Sequence, residues 1–226
     1  MVRQLRAAGA AIIELPFVHG CFDSVFVKDT AILARKRQRV HALMAQPRHE
    51  QRAAEPAHRA LHLAQRGISV EDISEHPLEG GDVVQMSDVA LLGTGFRSAP
   101  EAATRLGRFL GKPVLTLELV DPHFYHLDTA LAALSDGTVL ACREAFSAKS
   151  WQRLKGLRND FVEVPRAEAM RFALNWVEVG KRVVCGTRSE PVFELLRKRG
   201  RTPVHVDLSE FVKAGGSAAC LTARAA

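Results

Sequence analysis

A single cysteine near the end of the chain, Cys220, follows a Gly215-Gly216 turn, and three upstream clusters carry carboxylates and a histidine. They are Asp23-Ser-Val-Phe-Val-Lys-Asp29, Glu79-Gly-Gly-Asp82 and Phe124-Tyr-His-Leu-Asp128. A thiolate attacks electrophilic carbon, and a planar cation with several N–H donors is best held by carboxylates accepting paired hydrogen bonds. Together these residue types suit attack on the central carbon of a guanidinium. Taken singly, each has an ordinary reading: a surface turn at Glu79 to Asp82, a structural His-x-Asp at His126 and Asp128, a solvated acid at Asp23 or Asp29. The other cysteines are bland, since Cys142 and Cys185 sit among apolar strand residues and Cys21 lies in a turn.

The elements that must position these groups repeat along the chain. Val83-Val84 and Val89 to Leu92 read as a hairpin, Ala99 to Leu110 as a helix stopped by Gly111, and Pro113 to Leu119 as a strand. The same order recurs at Thr129 to Arg143, Ser147 to Leu157 and Asp160 to Val164, and again at Asn175 to Cys185, Glu190 to Arg199 and Pro203 to Asp207. An earlier copy has Val25 to Ala34 as strand, Arg52 to Gln65 as helix and Ile68 to Ile73 as strand. Four units at a period of about 45 residues predict radial or stacked repetition. The ends are partial units: Arg3 to Leu15 reads as helix end plus strand, Ser217 to Ala223 as one strand, and together they would make most of a fifth. Within this frame Glu79 and Asp82 flank a flexible turn at the start of a strand. His126 and Asp128 project to one side of an extended segment, and Asp29 lies on a strand leaving a polar turn.

The 226 residues allow one large domain or two small ones. A net charge of +6 invites a nucleic-acid partner, but the basic residues are scattered among acids, with no aromatic-interleaved stripe, and the densest run, Arg35 to Arg39, reads as a solvated turn. No stretch approaches the ~20 apolar residues of a membrane span. Four cysteines lie far apart with no Cys-x-x-Cys pair, which predicts reduced thiols in the cytoplasm and no zinc site.

The ordered motifs resemble the guanidine-modifying enzymes, the pentein superfamily of arginine deiminase, dimethylarginine dimethylaminohydrolase and the amidinotransferases. Asp23 to Asp29 looks like the first substrate-binding strand of that family, Pro47 to Glu55 like its arginine-bearing helix start, and Gly93-Thr-Gly-Phe-Arg97 like its second substrate arginine. Glu79 to Asp82, His126-Leu-Asp128 and Gly215 to Cys220 match the catalytic motifs in order. The resemblance implies one propeller domain over residues 1–226, an α/β ring of five hairpin–helix–strand units with an incomplete first unit, whose open strand edge would invite homo-oligomers.

It also implies roles. Cys220 would be the nucleophile, His126 the general acid and then base, and Glu79 and Asp29 the grips on guanidinium nitrogens. Asp128 and Asp23 would add contacts, Arg52 and Arg97 would bind the substrate α-carboxylate, and Asp82 would support the turn. No metal or organic cofactor is implied. The expected reaction is hydrolysis of arginine or a methylated arginine to citrulline through a covalent thiouronium. Amidino transfer to an amine, or a non-catalytic binder, is the competing reading. Two positions depart from the pattern of the dimethylarginine hydrolases, with Lys28 where a glutamate and Asp128 where a lysine is usual, so methyl groups on the guanidinium need be neither required nor favoured.

Overall fold

The computed structural model describes residues 1–72, 75–157 and 160–225. A short helix α1 (Val2–Ala7) opens the chain, and four units follow. The first has β1 (Ala31–Lys36), β2 (Arg39–Met44), α2 (Glu55–Ala64) and β3 (Ser69–Glu71). The second has β4 (Val83–Gln85), β5 (Ala90–Thr94), α3 (Ala102–Leu110) and β6 (Val114–Glu118). A helical turn α4 (Leu127–Ala130) leads into the third, which has β7 (Leu131–Ala133), β8 (Val139–Ala141), α5 (Ala148–Lys155) and β9 (Phe161–Glu163). The turn α6 (Arg166–Ala169) precedes the fourth, with β10 (Trp176–Val179), β11 (Arg182–Cys185), α7 (Glu190–Lys198) and β12 (Thr202–His205), and α8 (Ser209–Lys213) comes last.

Every unit pairs its first two strands antiparallel and its third parallel to the second, because a tight turn can return an antiparallel strand whereas a parallel one needs the helical crossover. The result is four separate three-stranded sheets. The sequence predicts three of these units closely. In the first, the run at Arg35 to Arg39 proves to be the turn of a hairpin, with β2 pairing back onto β1. The end of the expected strand at residue 73 lies outside the described residues.

Helix starts and stops follow local chemistry. Ser147 and Ser189 accept the amides of Ser150 and Val192 at the starts of α5 and α7, while α3 ends on Gly111 in the left-handed conformation. Buried Ala102, Leu106 and Phe109 form one stripe of α3 and pack with Ile32, Leu43 and Leu92, joining the first unit to the second. A larger cluster with Leu117, Leu140, Trp151, Trp176 and Phe193 runs through the other three. Met1, Leu5 and Ile12 pack with Leu208, Ala218 and Leu221 beside the fourth unit, so the two termini share one apolar cluster. Beyond them, Ala223 and Ala225 reach the first unit.

Three expected strands are turns instead. Residues 22–30 form two 3-10 turns, Phe22–Val25 and Val27–Thr30, because buried arginines draw their carbonyls out of any ladder: Arg52 bonds Asp23 O and Phe26 O, and Arg59 bonds Ser24 O. His126 is extended but immediately precedes α4, whose start is fixed by Thr129 Oγ1 donating to His126 O, so Asp128 is not on its strand face. Residues 217–223 turn through Leu221 N to Ser217 O and Thr222 N to Ala219 O. Among the described residues no helix is long and apolar enough to cross a membrane.

Phe109 is 1 % exposed at the junction of the first two units. Phe109→Ala is expected to lower the unfolding free energy by about 3–5 kcal/mol, read from urea unfolding curves; a loss below about 1 kcal/mol would mean that the helix does not join the units.

Candidate active site

The functional groups enter from turns. Asp29 lies in the second 3-10 turn ahead of β1, and Glu79 sits at the head of the Gly80–Asp82 turn ahead of β4. His126 and Asp128 lie at the start of α4 ahead of β7, and Cys220 lies in the C-terminal turn. Asp29, Arg97, Tyr125, His126, Gly215 and Cys220 border one cavity of about 240 Å³, with Asp23 exposed at its mouth.

Asp29 is held from behind on both oxygens: Oδ2 accepts from Arg52 Nη1 at 2.7 Å and Oδ1 from Gly81 N at 3.0 Å. Arg52 is 4 % exposed, and its Nε and Nη2 also chelate Glu55 at 2.9 and 2.8 Å. Burial would lower its pKa, but Glu55 and Asp29 raise it. The expected substrate-carboxylate role does not fit this geometry. Two buried carboxylates and two backbone carbonyls already engage the guanidinium, which therefore clamps Asp29.

Glu79 is fully buried. Its Oε2 lies 2.9 Å from His126 Nε2 and its Oε1 accepts from Arg48 N at 2.9 Å, so it faces the histidine and not the cavity. It is placed to orient His126, and this geometry does not fit the expected grip on the guanidinium. Burial pushes the Glu79 carboxyl up, but His126, the Arg48 amide and Arg97 outweigh it and hold the group at about 2. Burial pushes His126 down, but Asp29, Asp82 and Glu79 raise it to about 9. At neutral pH the ring is an imidazolium, donating Nε2–H to Glu79, with Nδ1 3.6 Å from Asp29 Oδ1.

Gly81 makes this packing possible, since a Cβ there would lie 2.6 Å from both Asp29 Oδ1 and His126 Nδ1. Asp82 accepts from the amides of Ser98 at 3.0 Å and Leu127 at 3.1 Å, tying the Glu79 turn to the histidine segment, and burial pushes its carboxyl up to about 7.

Asp128 is met by Lys28, whose Nζ lies 2.7 Å from Oδ2, and both its oxygens are 3.9 Å from Cys220 Sγ. The two positions that depart from the family pattern are thus one partly buried ion pair beside the sulfur. Burial, Asp128 and Asp29 push the Cys220 thiol well above its usual 9.0, partly offset by the Ser217 backbone and Lys28. Burial also pushes Cys142 up to about 11 and Cys185 up to about 12, and neither borders the cavity. The Cys220 turn is fixed by Tyr125, whose hydroxyl donates to Gly215 O, with Gly215 at a φ of 94° that favours glycine. Across the cavity Arg97 stacks over the Tyr125 ring at 5.0 Å and lies 3.6 Å from Glu79.

Ligand atoms of Asp29, Glu79 and His126 lie within 4.8 Å of one another, the one such trio among the described residues. These atoms already serve the imidazolium and Arg52, so a dication would compete with two resident cations. Sequence reasoning missed Tyr125, the ionic partner of Asp128, and Asn175, which bonds the cysteine turn. Tyr125 was within reach, being inside the Phe124 to Asp128 cluster. Asn175 carried no signal beyond starting a strand.

Comparison with known proteins gives a consistent result. The family described as "N,N dimethylarginine dimethylhydrolase, eukaryotic" matches residues 1–226. The chain is 40 % identical over 206 residues to N(G),N(G)-dimethylarginine dimethylaminohydrolase of Mycobacterium tuberculosis, covering 91 % of this chain and 67 % of that one. Among solved structures it superposes on the N-terminal domain of ArgZ, an arginine dihydrolase of the ornithine–ammonia cycle in cyanobacteria, bound to product. The TM-score is 0.91 at 27 % identity, covering 100 % of this chain and 83 % of that one. A dimethylarginine dimethylaminohydrolase adduct with S-methyl-L-thiocitrulline matches at a TM-score of 0.81 and 26 % identity, over 97 % and 84 % of the two chains.

The Glu79–His126 pair has a pH signature. His126 in the folded state sits near 9, above its ordinary 6.5, so its stabilisation is complete below about 6.5 and is lost as pH rises through about 9. Glu79 sits near 2, below 4.5, so its contribution is present above about 4.5 and is lost as pH falls through about 2. Urea unfolding is therefore expected to show stability declining between pH 6.5 and 9, with a shallower decline in Glu79→Gln. Equal slopes in the two proteins would separate Glu79 from the charging of His126.

Proposed function

Because this chain belongs to the dimethylarginine dimethylaminohydrolase family within the guanidine-modifying enzymes, we propose that it hydrolyses the guanidinium group of arginine or an Nω-methylated arginine. The products are citrulline and ammonia or a methylamine. The observation that carries this reading is the convergence of a nucleophile, Cys220, an imidazolium, His126, and a carboxylate, Asp29, on one cavity.

Asp29 faces the cavity while Arg52 and Gly81 hold it from behind, which leaves it placed to accept from guanidinium N–H groups and align the carbon with sulfur. The incoming cation adds positive charge beside a thiol that burial keeps protonated, so the thiol releases its proton to solvent as substrate arrives. Thiolate forms the C–S bond, the C–N bond to the terminal ω-nitrogen breaks, and that nitrogen departs as ammonia or a methylamine with a proton from His126. The neutral imidazole then takes a proton from water, whose oxygen adds to the thiouronium carbon. The C–S bond breaks, the ureido carbonyl forms and the thiolate returns.

Glu79 keeps the ring charged and oriented for the first transfer. Arg97, partly exposed on the cavity and stacked on Tyr125, is assigned the substrate carboxylate, with Asp23 at the mouth for the remaining polar end and Arg52 as the clamp of Asp29. Asp128, held by Lys28, sets the charge beneath the sulfur.

We read the whole chain as one propeller domain of five units. The two termini, packed together against the fourth unit and touching the first, supply the fifth. Four free cysteines support a cytoplasmic setting.

Citrulline release from arginine and from asymmetric dimethylarginine, run beside Cys220→Ala, tests the reaction. Turnover of at least one substrate is expected, falling by about 10⁴-fold or more in the variant, as for loss of a covalent nucleophile. Folded wild-type protein that releases no citrulline from either substrate would overturn hydrolysis. Transfer of the amidino group to an added amine would then be the reaction to seek.

A further inference from the structure

Three of the four sheets deliver a functional group from the segment leading into their first strand: Asp29 before β1, Glu79 before β4, and His126 with Asp128 before β7. In the fourth unit the residue at that place, immediately before β10, is Asn175, which is 1 % exposed. Its side chain reaches the nucleophile's turn. Oδ1 accepts from Ala219 N at 3.0 Å and Cys220 N at 3.3 Å, and Nδ2 donates to Asp128 O at 3.0 Å and to Cys220 Sγ at 3.2 Å.

The chemistry of the partners fixes the orientation of this amide. The two backbone N–H groups can only donate, so the oxygen must face them; Asp128 O can only accept, so the nitrogen must face it. One N–H of Nδ2 is then directed at sulfur. A thiol is a poor acceptor and a thiolate a good one, so this contact strengthens when the sulfur ionises.

We propose that Asn175 is a positioning residue for Cys220, whose carboxamide fixes the nucleophile's backbone through Oδ1 and stabilises its thiolate through Nδ2. The proposal rests on Cys220 acting as the nucleophile of the hydrolysis above. Asn175 adds a side-chain donor to the backbone hydrogen bond that Ser217 already gives the sulfur. The charged and titratable groups around the sulfur are Asp128 and His126 from the α4 segment, Asp29 and Lys28 from the turn before β1, Tyr125, and Asp23, Arg52 and Arg97 on the cavity. Asp128 is the carboxylate at 3.9 Å and opposes ionisation, and Lys28 is already paired to it. Asn175 is a neutral donor aimed at the sulfur itself and is engaged in no ion pair.

The test compares wild type with Asn175→Asp, which keeps an acceptor for the two amides but removes the donor, and with Asn175→Ala, which removes both. The rate of Cys220 alkylation by iodoacetamide is followed against pH, with the site mapped by mass spectrometry, beside thermal unfolding and steady-state kinetics.

In Asn175→Asp the alkylation midpoint is expected to rise by about one pH unit or more. Its kcat is expected to fall about 10- to 100-fold with KM within about threefold of wild type, the pattern of a group acting on the nucleophile. Asn175→Ala is expected to share the raised midpoint and to lose thermal stability as well. Lowered stability in variants that fold with an unmoved midpoint would reduce Asn175 to scaffolding and overturn the proposal.

A measurement on wild type does not depend on any variant folding. The side-chain amide resonance of Asn175 is expected to shift with pH at the midpoint of Cys220 alkylation, and a resonance indifferent to that ionisation would also overturn the proposal. Asn175-dependent alkylation in a protein that releases no citrulline would sink the hydrolase reading and leave this one standing. Citrulline release with alkylation independent of Asn175 would do the reverse.

Discussion

Charge balance inside a buried space governs this structure. Asp29, Glu55, Glu79, Asp82 and Asp128 are all at most 4 % exposed, and unpaired carboxylates at such depth would be strongly unfavourable. Four of them are matched by three cations: Arg52 takes Asp29 and Glu55, His126 takes Glu79, and Lys28 takes Asp128. Asp82 forms no ion pair within 4 Å among the described residues and accepts two backbone amides, and burial outweighs the pull of His126 to drive its carboxyl up to about 7. Each cation is thus assigned a carboxylate, and that assignment sorts the acids into those that face the cavity and those that support from behind.

The sorting depends on where the fold puts turns. The buried positions of the strands are filled mainly by apolar residues, with Leu, Val and Ala the commonest, and none of these five acids lies on a strand. The segments ahead of the first strands are free to follow side-chain hydrogen bonds. Arg52 and Arg59 take the carbonyls of residues 23, 24 and 26, and the Glu79 turn closes on Asp29 and on the histidine segment through Gly81 and Asp82. A site assembled this way is rigid because each turn is bonded to the next one around the cavity, and the antiparallel bridge between Gln46 and Leu78 fixes the residue just before Glu79.

What the sequence made legible follows from the same division. Alternating apolar runs, Gly111 after a helical stripe and the Gly180 turn mark the units because those features are local. Cys220, His126, Glu79 and Asp29 were legible as a set through their order and types. The backbone of residues 22–30 was not, since Val25-Phe26-Val27 has strand-like alternation and the arginines that override it lie some 25 to 35 positions away. The family resemblance likewise cast Arg52 as a ligand for a substrate carboxylate, whereas its two carboxylate partners decide its orientation only in three dimensions. The terminal strands failed because Ser217 to Ala223 bonds to itself as a turn and packs by its side chains instead of forming a ladder. Asn175 was invisible because an uncharged amide before a strand is among the commonest of boundary residues.

The Lys28–Asp128 pair links this balance to reactivity. A lone Asp128 carboxylate 3.9 Å from the sulfur would oppose thiolate formation at every stage of the reaction. Pairing with Lys28 partly offsets its effect on the sulfur and leaves it within reach of a cation that enters the cavity. The free protein then holds Cys220 as a thiol, screened from adventitious electrophiles by burial, and ionisation awaits a positively charged ligand. In the mechanism proposed above, the substrate's charge is part of the activation as well as of recognition. A neutral ureido product no longer supplies that charge, so the same balance that raises reactivity on binding lowers affinity once the chemistry is done.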